Sequence, residues 1–146
     1  MPENRQGTHP PAAAPPVATV LLNGEETGAV VSATTILVPA RHPGPPLHAH
    51  NFDEAFYVLD GDLTFQIGGS LIRRRTGELC FAPRNTAYAL ANHSDEDARY
   101  LLICTPAGFE RYWARMAAEV SGGEPPPWAQ QPSPEITVLG PPIPMP

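Results

Sequence analysis

Between Gly44 and Gly61 the chain places three side chains of the kinds that bind transition metals: His48, His50 and Glu54. Successive side chains on a β-strand point to opposite faces, so two histidines one residue apart share a face and can close on one ion. Leu47 and Ala49 then face the other way. Glu54 has the same parity as the histidines, and the apolar run that follows it, Ala55-Phe56-Tyr57-Val58-Leu59, predicts a second, buried strand. A carboxylate at the head of a buried strand needs a partner. Two imidazoles and one carboxylate on adjacent strands are the ingredients of the facial triad, which binds non-haem iron and leaves positions open for substrate and oxygen. The same donors also suit manganese, nickel, cobalt or zinc. The plainer alternative is a pair of surface or hydrogen-bonded histidines, and the glutamate at matching parity weighs against it.

The elements that must hold these residues are short strands. Ala18 to Leu22 and Ala29 to Val38 read as strands around the turn-forming Asn23-Gly24 and a polar segment. Pro39 to Pro46 holds four prolines and predicts an extended loop, with His42 exposed in it. Leu63 to Ile67 alternates apolar and polar residues, so one face is core, and Thr64 and Gln66 are assigned to the pocket side. Gly68-Gly69 reads as a hairpin turn. Leu71 to Arg75, carrying Arg73, Arg74 and Arg75, reads as a solvated edge strand protected by charge. Glu78 to Ala82, Thr86 to Asn92 and Arg99 to Cys104 complete the set, the last apolar enough to be central. Thr105-Pro106 reads as a helix start. Phe109, Tyr112, Trp113, Met116 and Val120 then form one apolar stripe, with Glu110, Arg111, Arg115 and Glu119 opposite it. Ser121-Gly122-Gly123 ends the helix.

Eight or more short strands and one C-terminal helix predict an all-β chain, a double-stranded β-helix or jelly-roll barrel. The expected organisation is a disordered Pro/Ala-rich tail over 1–17 that includes His9, a barrel with its helix over 18–120, and a Pro-rich tail over 121–146. Ile136 to Leu139 in that last segment reads as a short edge strand.

The net charge is −6, which argues against nucleic acid and anionic membrane surfaces as partners. All nine basic residues are arginine, so Schiff-base chemistry on a lysine is excluded. Cys80 and Cys104 each sit in an apolar run and read as buried thiols, which suits a reducing cytoplasm. No run of residues is long and apolar enough to predict a membrane span or a signal peptide.

The stretch Gly44, His48, His50, Glu54 and Gly61 resembles the first motif of the cupin superfamily. Gly77, Pro83 and Asn92 match its second motif, with Tyr88 at the position of the fourth metal-ligand histidine and Asn85 where a glycine is usual. The segments DEAFYVLDGDLTFQIGG and TPAGFERYW are similar to small single-domain cupins related to quercetin dioxygenases, and the likeness runs from about Gly24 to Trp113.

That resemblance implies a divalent transition metal held by His48, His50, Glu54 and Tyr88, with Glu54 and Tyr88 as the catalytic pair. Glu54 is then either a ligand or the base that takes a substrate hydroxyl proton, and Tyr88 either a ligand or a hydrogen-bond donor. Phe52, Phe56 and Tyr57 suggest aromatic pocket walls for a small aromatic or enolisable compound, polyketide- or flavonoid-like. A dioxygenase is the expectation. A metal-dependent isomerase or cyclase, or a non-catalytic binding barrel in which Tyr88 plugs the metal position, are the alternatives. The resemblance and the apolar strands together point to a homodimer.

Overall fold

The computed structural model describes residues 14–146. Two five-stranded sheets face each other. The first has the order β1 (Val17–Leu22), β2 (Ser32–Val38), β9 (Ala98–Thr105), β4 (Asp53–Asp60), β7 (Leu79–Ala82). The second has the order β10 (Thr137–Gly140), β3 (Leu47–Ala49), β8 (Tyr88–Ala91), β5 (Asp62–Ile67), β6 (Ser70–Arg75). Every pairing is antiparallel. This is the double-stranded β-helix, completed by a one-turn helix α1 (Gly24–Thr27) and a C-terminal helix α2 (Glu110–Ser121). Of the expected N-terminal tail, residues 1–13, His9 among them, lie outside the described residues.

Alternation decides what lies between the sheets. Glu54, Phe56 and Val58 of β4, Leu63 and Phe65 of β5, and Tyr100, Leu102 and Cys104 of β9 all point inward and are buried. β9 runs between β2 and β4, central as its apolar sequence predicts. The other parity faces out. Tyr57 is 40% exposed on that outer face beside Leu79 and Phe81, so it does not line the pocket as expected. Thr64 and Gln66 share this fate: their strand turns Leu63 and Phe65 to the interior, which leaves the polar pair outside and away from the cavity. A barrel this small fills its interior with apolar side chains, so the polar face has to be the outer one.

Local chemistry explains the boundaries. β2 begins at Ser32 rather than Ala29, because residues 24–27 form a helical turn instead of a loop. Asn23 caps that turn, accepting from the backbone N–H groups of Glu25 (2.9 Å) and Glu26 (3.3 Å), while Glu26 accepts from the N–H of Asn23 (3.0 Å). The expected helix start at Thr105-Pro106 is wrong. Thr105 is the last rung of β9, paired with Asp53, and α2 begins only at Glu110 with Phe109 at its cap position. Glu110, expected on the solvent face, is buried instead. Its carboxylate accepts from the N–H of Gly24 (2.7 Å) and of Gly108 (2.6 Å), tying α1 to the start of α2. Gly122 ends α2 in the left-handed region, φ 78°.

β6 is the edge of its sheet, as the arginine run predicts, and all three guanidiniums have partners, Arg75 Nε lying 4.0 Å from Asp62 Oδ2. Arg73 pairs with Asp62, and Arg74 donates to the carbonyl of Leu79. The Arg73 hydrogen bond holds the Asp62 carboxyl below the ordinary aspartate range. A carboxyl whose folded value is lowered adds stability above its unfolded value of about 3.9, and that stability disappears as the pH falls through the folded value. Arg73→Ala should therefore lower the urea midpoint slightly at pH 7, because the pair is exposed, and not at all near pH 2. Equal differences at both pH values count against this account.

Cys80 and Cys104 are buried, unbridged thiols, as expected. Among the described residues no helix is long and apolar enough to cross a membrane.

Candidate functional site

The connection from β3 to β4 crosses from one sheet to the other, and it delivers the candidate residues to the space between them. His48 lies mid-strand in β3, His50 follows that strand, and Glu54 is the second residue of β4. Both histidines are buried on the same side, as their parity requires, with ring centroids 5.7 Å apart. Tyr88 sits directly opposite His48 in the β3–β8 register, with ring centroids 4.4 Å apart. The expected residues are therefore brought together, from both sheets and the link between them.

Each imidazole is oriented through its Nδ1 atom. His48 Nδ1 lies 2.8 Å from the carbonyl of Pro46, and His50 Nδ1 lies 3.2 Å from the carbonyl of Phe52. A carbonyl accepts, so Nδ1 carries a proton in both rings; Nε2 of His48 is then left for other work, whereas Nε2 of His50 faces a second acceptor and needs a proton between the two. In His50 that nitrogen meets Glu54 Oε1 at 2.7 Å, with both side chains almost wholly buried. Phe52 holds the His50 ring flat against its own at 3.6 Å between centroids. Burial lowers the pKa of His48, so its Nε2 is a free lone pair at neutral pH.

Glu54 is the hub. It is 1% exposed, and besides His50 it accepts a weak bond from the Cys104 thiol at 3.7 Å. Burial drives the Tyr88 phenol well above its ordinary pKa, and the charge of Glu54 and a hydrogen bond to it add to the shift. Tyr88 is thus a neutral donor, not a phenolate. Tyr100 on β9 shows the same direction for the same leading cause. Among the described residues no group of three or more His, Cys, Asp and Glu side chains stands in an arrangement that holds a metal ion. The closest approach to one is the pair already bonded, His50 with Glu54.

A cavity of about 360 Å³ opens onto this cluster. His48, Glu54 and Tyr88 form its buried end, while Leu90, Leu102 and Ile36 supply apolar wall. Its aromatic surface comes from Tyr100 and from Phe109, Tyr112 and Trp113 of the α2 region. Phe52 and Phe56 are buried beside the cluster but do not line the cavity. The stripe on α2 that periodicity assigns to barrel packing has both roles. Its phase shows the side facing the barrel, but not that the barrel is open there.

His42 is the second departure. It is half-buried and lines the cavity, where the proline-rich loop reads as an exposed position. The missed signal is Asn92. This buried residue donates to the carbonyls of Val38 (3.1 Å), Pro39 (3.1 Å) and Glu96 (2.8 Å), and its own N–H donates to His42 O (3.0 Å). It folds the loop back over the barrel. Asn85, where the motif usually has glycine, adopts φ 62°, a conformation asparagine tolerates.

Comparison with known proteins agrees with this architecture. Residues 34–104 match the family model described as a cupin domain. No curated protein sequence matches the chain. Among solved structures, the EutQ protein of Clostridium difficile is 24% identical with a TM-score of 0.53, over 66% of this chain and 66% of that one. A predicted oxalate decarboxylase of Thermotoga maritima is 21% identical with a TM-score of 0.58, over 61% of this chain and 78% of that one. A double-stranded β-helix protein of Klebsiella pneumoniae is 14% identical with a TM-score of 0.56, over 70% of this chain and 86% of that one. At these identities the likeness is one of fold, to small cupins broadly and not to quercetin dioxygenases specifically.

Proposed function

Because residues 34–104 match the model of a cupin domain, we propose that the chain holds a divalent transition metal through His48, His50 and Glu54 and transforms a small aromatic or enolisable compound, in the manner of a dioxygenase. The observation that carries this reading is the pair of Nδ1 anchors. Both imidazoles are anchored at Nδ1 by backbone carbonyls, which is how metal-ligating histidines are held, and Nε2 is the nitrogen that would meet an ion, in His50 after its bond to Glu54 is given up. Two neutral nitrogens and a carboxylate suit such an ion, which would supply Lewis acidity and open positions for substrate.

The remaining work falls to this chain's own residues. Glu54, whose Oε1 lies 2.7 Å from His50 Nε2, is either one of the ligands or the base that takes a proton from a substrate hydroxyl and returns it. Tyr88, kept protonated by burial, donates to an oxygen at the buried end of the cavity instead of serving as a ligand. The apolar walls exclude water and hold a flat substrate against the cluster. A Lewis-acid isomerase or cyclase uses the same parts without oxygen.

A second reading is a metal-free binding barrel. It is favoured by Glu54, whose oxygens are already engaged by His50 and Cys104, and by the lack of a three-residue metal-holding group among the described residues.

Elemental analysis of protein purified without chelator separates the readings. Near-stoichiometric metal in the wild type, with at least tenfold less in His50→Ala and full retention in Tyr88→Phe, is the expected result. Uptake should also release protons, since the His50–Glu54 bond must give up its own. No metal after reconstitution with iron, nickel, manganese, cobalt and zinc leaves the binding barrel. Oxygen consumption on a turned-over substrate then distinguishes dioxygenase from isomerase.

A further inference from the structure

We infer that His42 forms a second polar subsite in the cavity, a fixed hydrogen-bond donor that recognises a neutral carbonyl oxygen at the end of the ligand away from Glu54. The inference rests on reading the cavity as a small-molecule site and is independent of whether metal is bound.

The tautomer of His42 is set by the backbone. The N–H of Gly44 donates to His42 Nδ1 at 3.0 Å, so Nδ1 must carry a lone pair and a neutral ring holds its proton on Nε2. Burial lowers the pKa of this histidine, so the neutral ring is the form present at pH 7.5. Nε2–H has no acceptor among the described residues, on a side chain that lines the cavity. His42 Nε2–H therefore needs an acceptor, and a ligand seated in the cavity can bring the oxygen.

The ring is also held in place. Asn92 fixes the loop before His42, through the carbonyls of Val38 and Pro39, and at His42 itself through its carbonyl, and the N–H of Arg41 donates to the carbonyl of Ser94 at 3.0 Å. A donor that is already positioned loses little freedom when it binds.

Charge decides which oxygen. Among the described residues no arginine lines the cavity, and Arg41, next to His42 in sequence, is turned to Asp95 at 2.7 Å. Glu54 places a carboxylate at the buried end, and the chain carries a net charge of −6. A ligand carboxylate would find no cation here, whereas a ketone oxygen needs only the N–H. The ligand class is therefore an apolar, aromatic ketone, with its carbonyl at His42 and its reacting part toward Glu54.

The test uses 1-indanone and indane, which share a skeleton and differ by the carbonyl, with tryptophan fluorescence as the readout because Trp113 lines the cavity. The wild type should bind the ketone roughly three- to tenfold more tightly, the range of one neutral hydrogen bond. His42→Leu should bring that ratio to about one and leave indane affinity within about twofold. Retention of the preference in His42→Leu overturns the inference, as does a wild type that binds the two equally or binds neither. Nitrogen NMR of the wild type gives a check that needs no variant to fold. The Nε2-protonated tautomer, with a shift of that nitrogen on adding 1-indanone, is expected, and the Nδ1-protonated tautomer overturns it. Metal content measured on the same preparation keeps the two readings apart. A metal-free wild type that prefers the ketone removes the metal and keeps the subsite, while a metal-loaded one without the preference does the reverse.

Discussion

Glu54→Ala is expected to lower folding stability by about 3–5 kcal/mol, the range for removing one partner of a buried charged pair. Three groups depend on this carboxylate: His50 Nε2 at 2.7 Å, the Tyr88 phenol, and the Cys104 thiol at 3.7 Å. Alanine leaves them facing a hole, and each unsatisfied neutral group alone costs about 1–3 kcal/mol. The cavity opens onto the same point, so water entering from it moves the result toward the lower end of the range. Glu54→Gln keeps the volume and one accepting oxygen but adds two donors, and about 1–2 kcal/mol is expected for it. Urea denaturation of the three proteins at pH 7.5 in chelator measures both numbers. A loss below about 1 kcal/mol for the alanine variant shows that water replaces the carboxylate in full, and the hub described above is then not a hub.

The same residue shows how much of the site is legible in the sequence. Parity alone puts His48, His50 and Glu54 on the interior side, because the period of a strand is fixed at two and the apolar run after Glu54 marks which side is inside. Tyr88 is found only through motif spacing, yet it lands opposite His48 in the ladder. What parity cannot give is the state of the cluster. Whether Glu54 faces an open position or a bonded partner depends on a 2.7 Å contact with His50, and no periodicity carries that distance.

The loops and the helix were less legible, for a related reason. Glu110 reads as solvent-facing from its phase on α2, but it is the first residue of the helix and takes the N–H groups of Gly24 and Gly108, which arrive from 86 residues away and from the turn before it. Thr105-Pro106 has good capping chemistry, but the ladder to Asp53 takes Thr105 first. Proline counts place Pro39 to Pro46 in a loop and say nothing about where it goes. That is decided by Asn92, a residue whose side chain reaches 54 positions back to Val38. Long-range polar contacts override local signals at each of these points.

Gly44→Ala is expected to be the most damaging single-methyl change in this loop. A Cβ at residue 44 would stand 1.7 Å from the carbonyl oxygen of Leu90 and 2.8 Å from its carbon, and both belong to β8 backbone that cannot swing aside. The residue also has φ 76°, which costs a non-glycine residue about 1–2 kcal/mol before any contact is counted. The loop has to lift off the sheet, and the total should exceed about 3 kcal/mol or leave no folded protein. Gly69 is the control. Nothing lies within 4 Å of a Cβ there, so Gly69→Ala should stay within about 0.5 kcal/mol. If Gly44→Ala does fold, the lifted loop takes with it the N–H that fixes His42, and the preference for 1-indanone over indane should fall even though no cavity-lining side chain has been removed. A stable variant with its preference intact places the loop elsewhere in solution, and then neither the tautomer of His42 nor its position on the cavity wall follows from Gly44. Stability and recognition are therefore coupled at this glycine, because the close approach that excludes a methyl group is also what holds the donor in place.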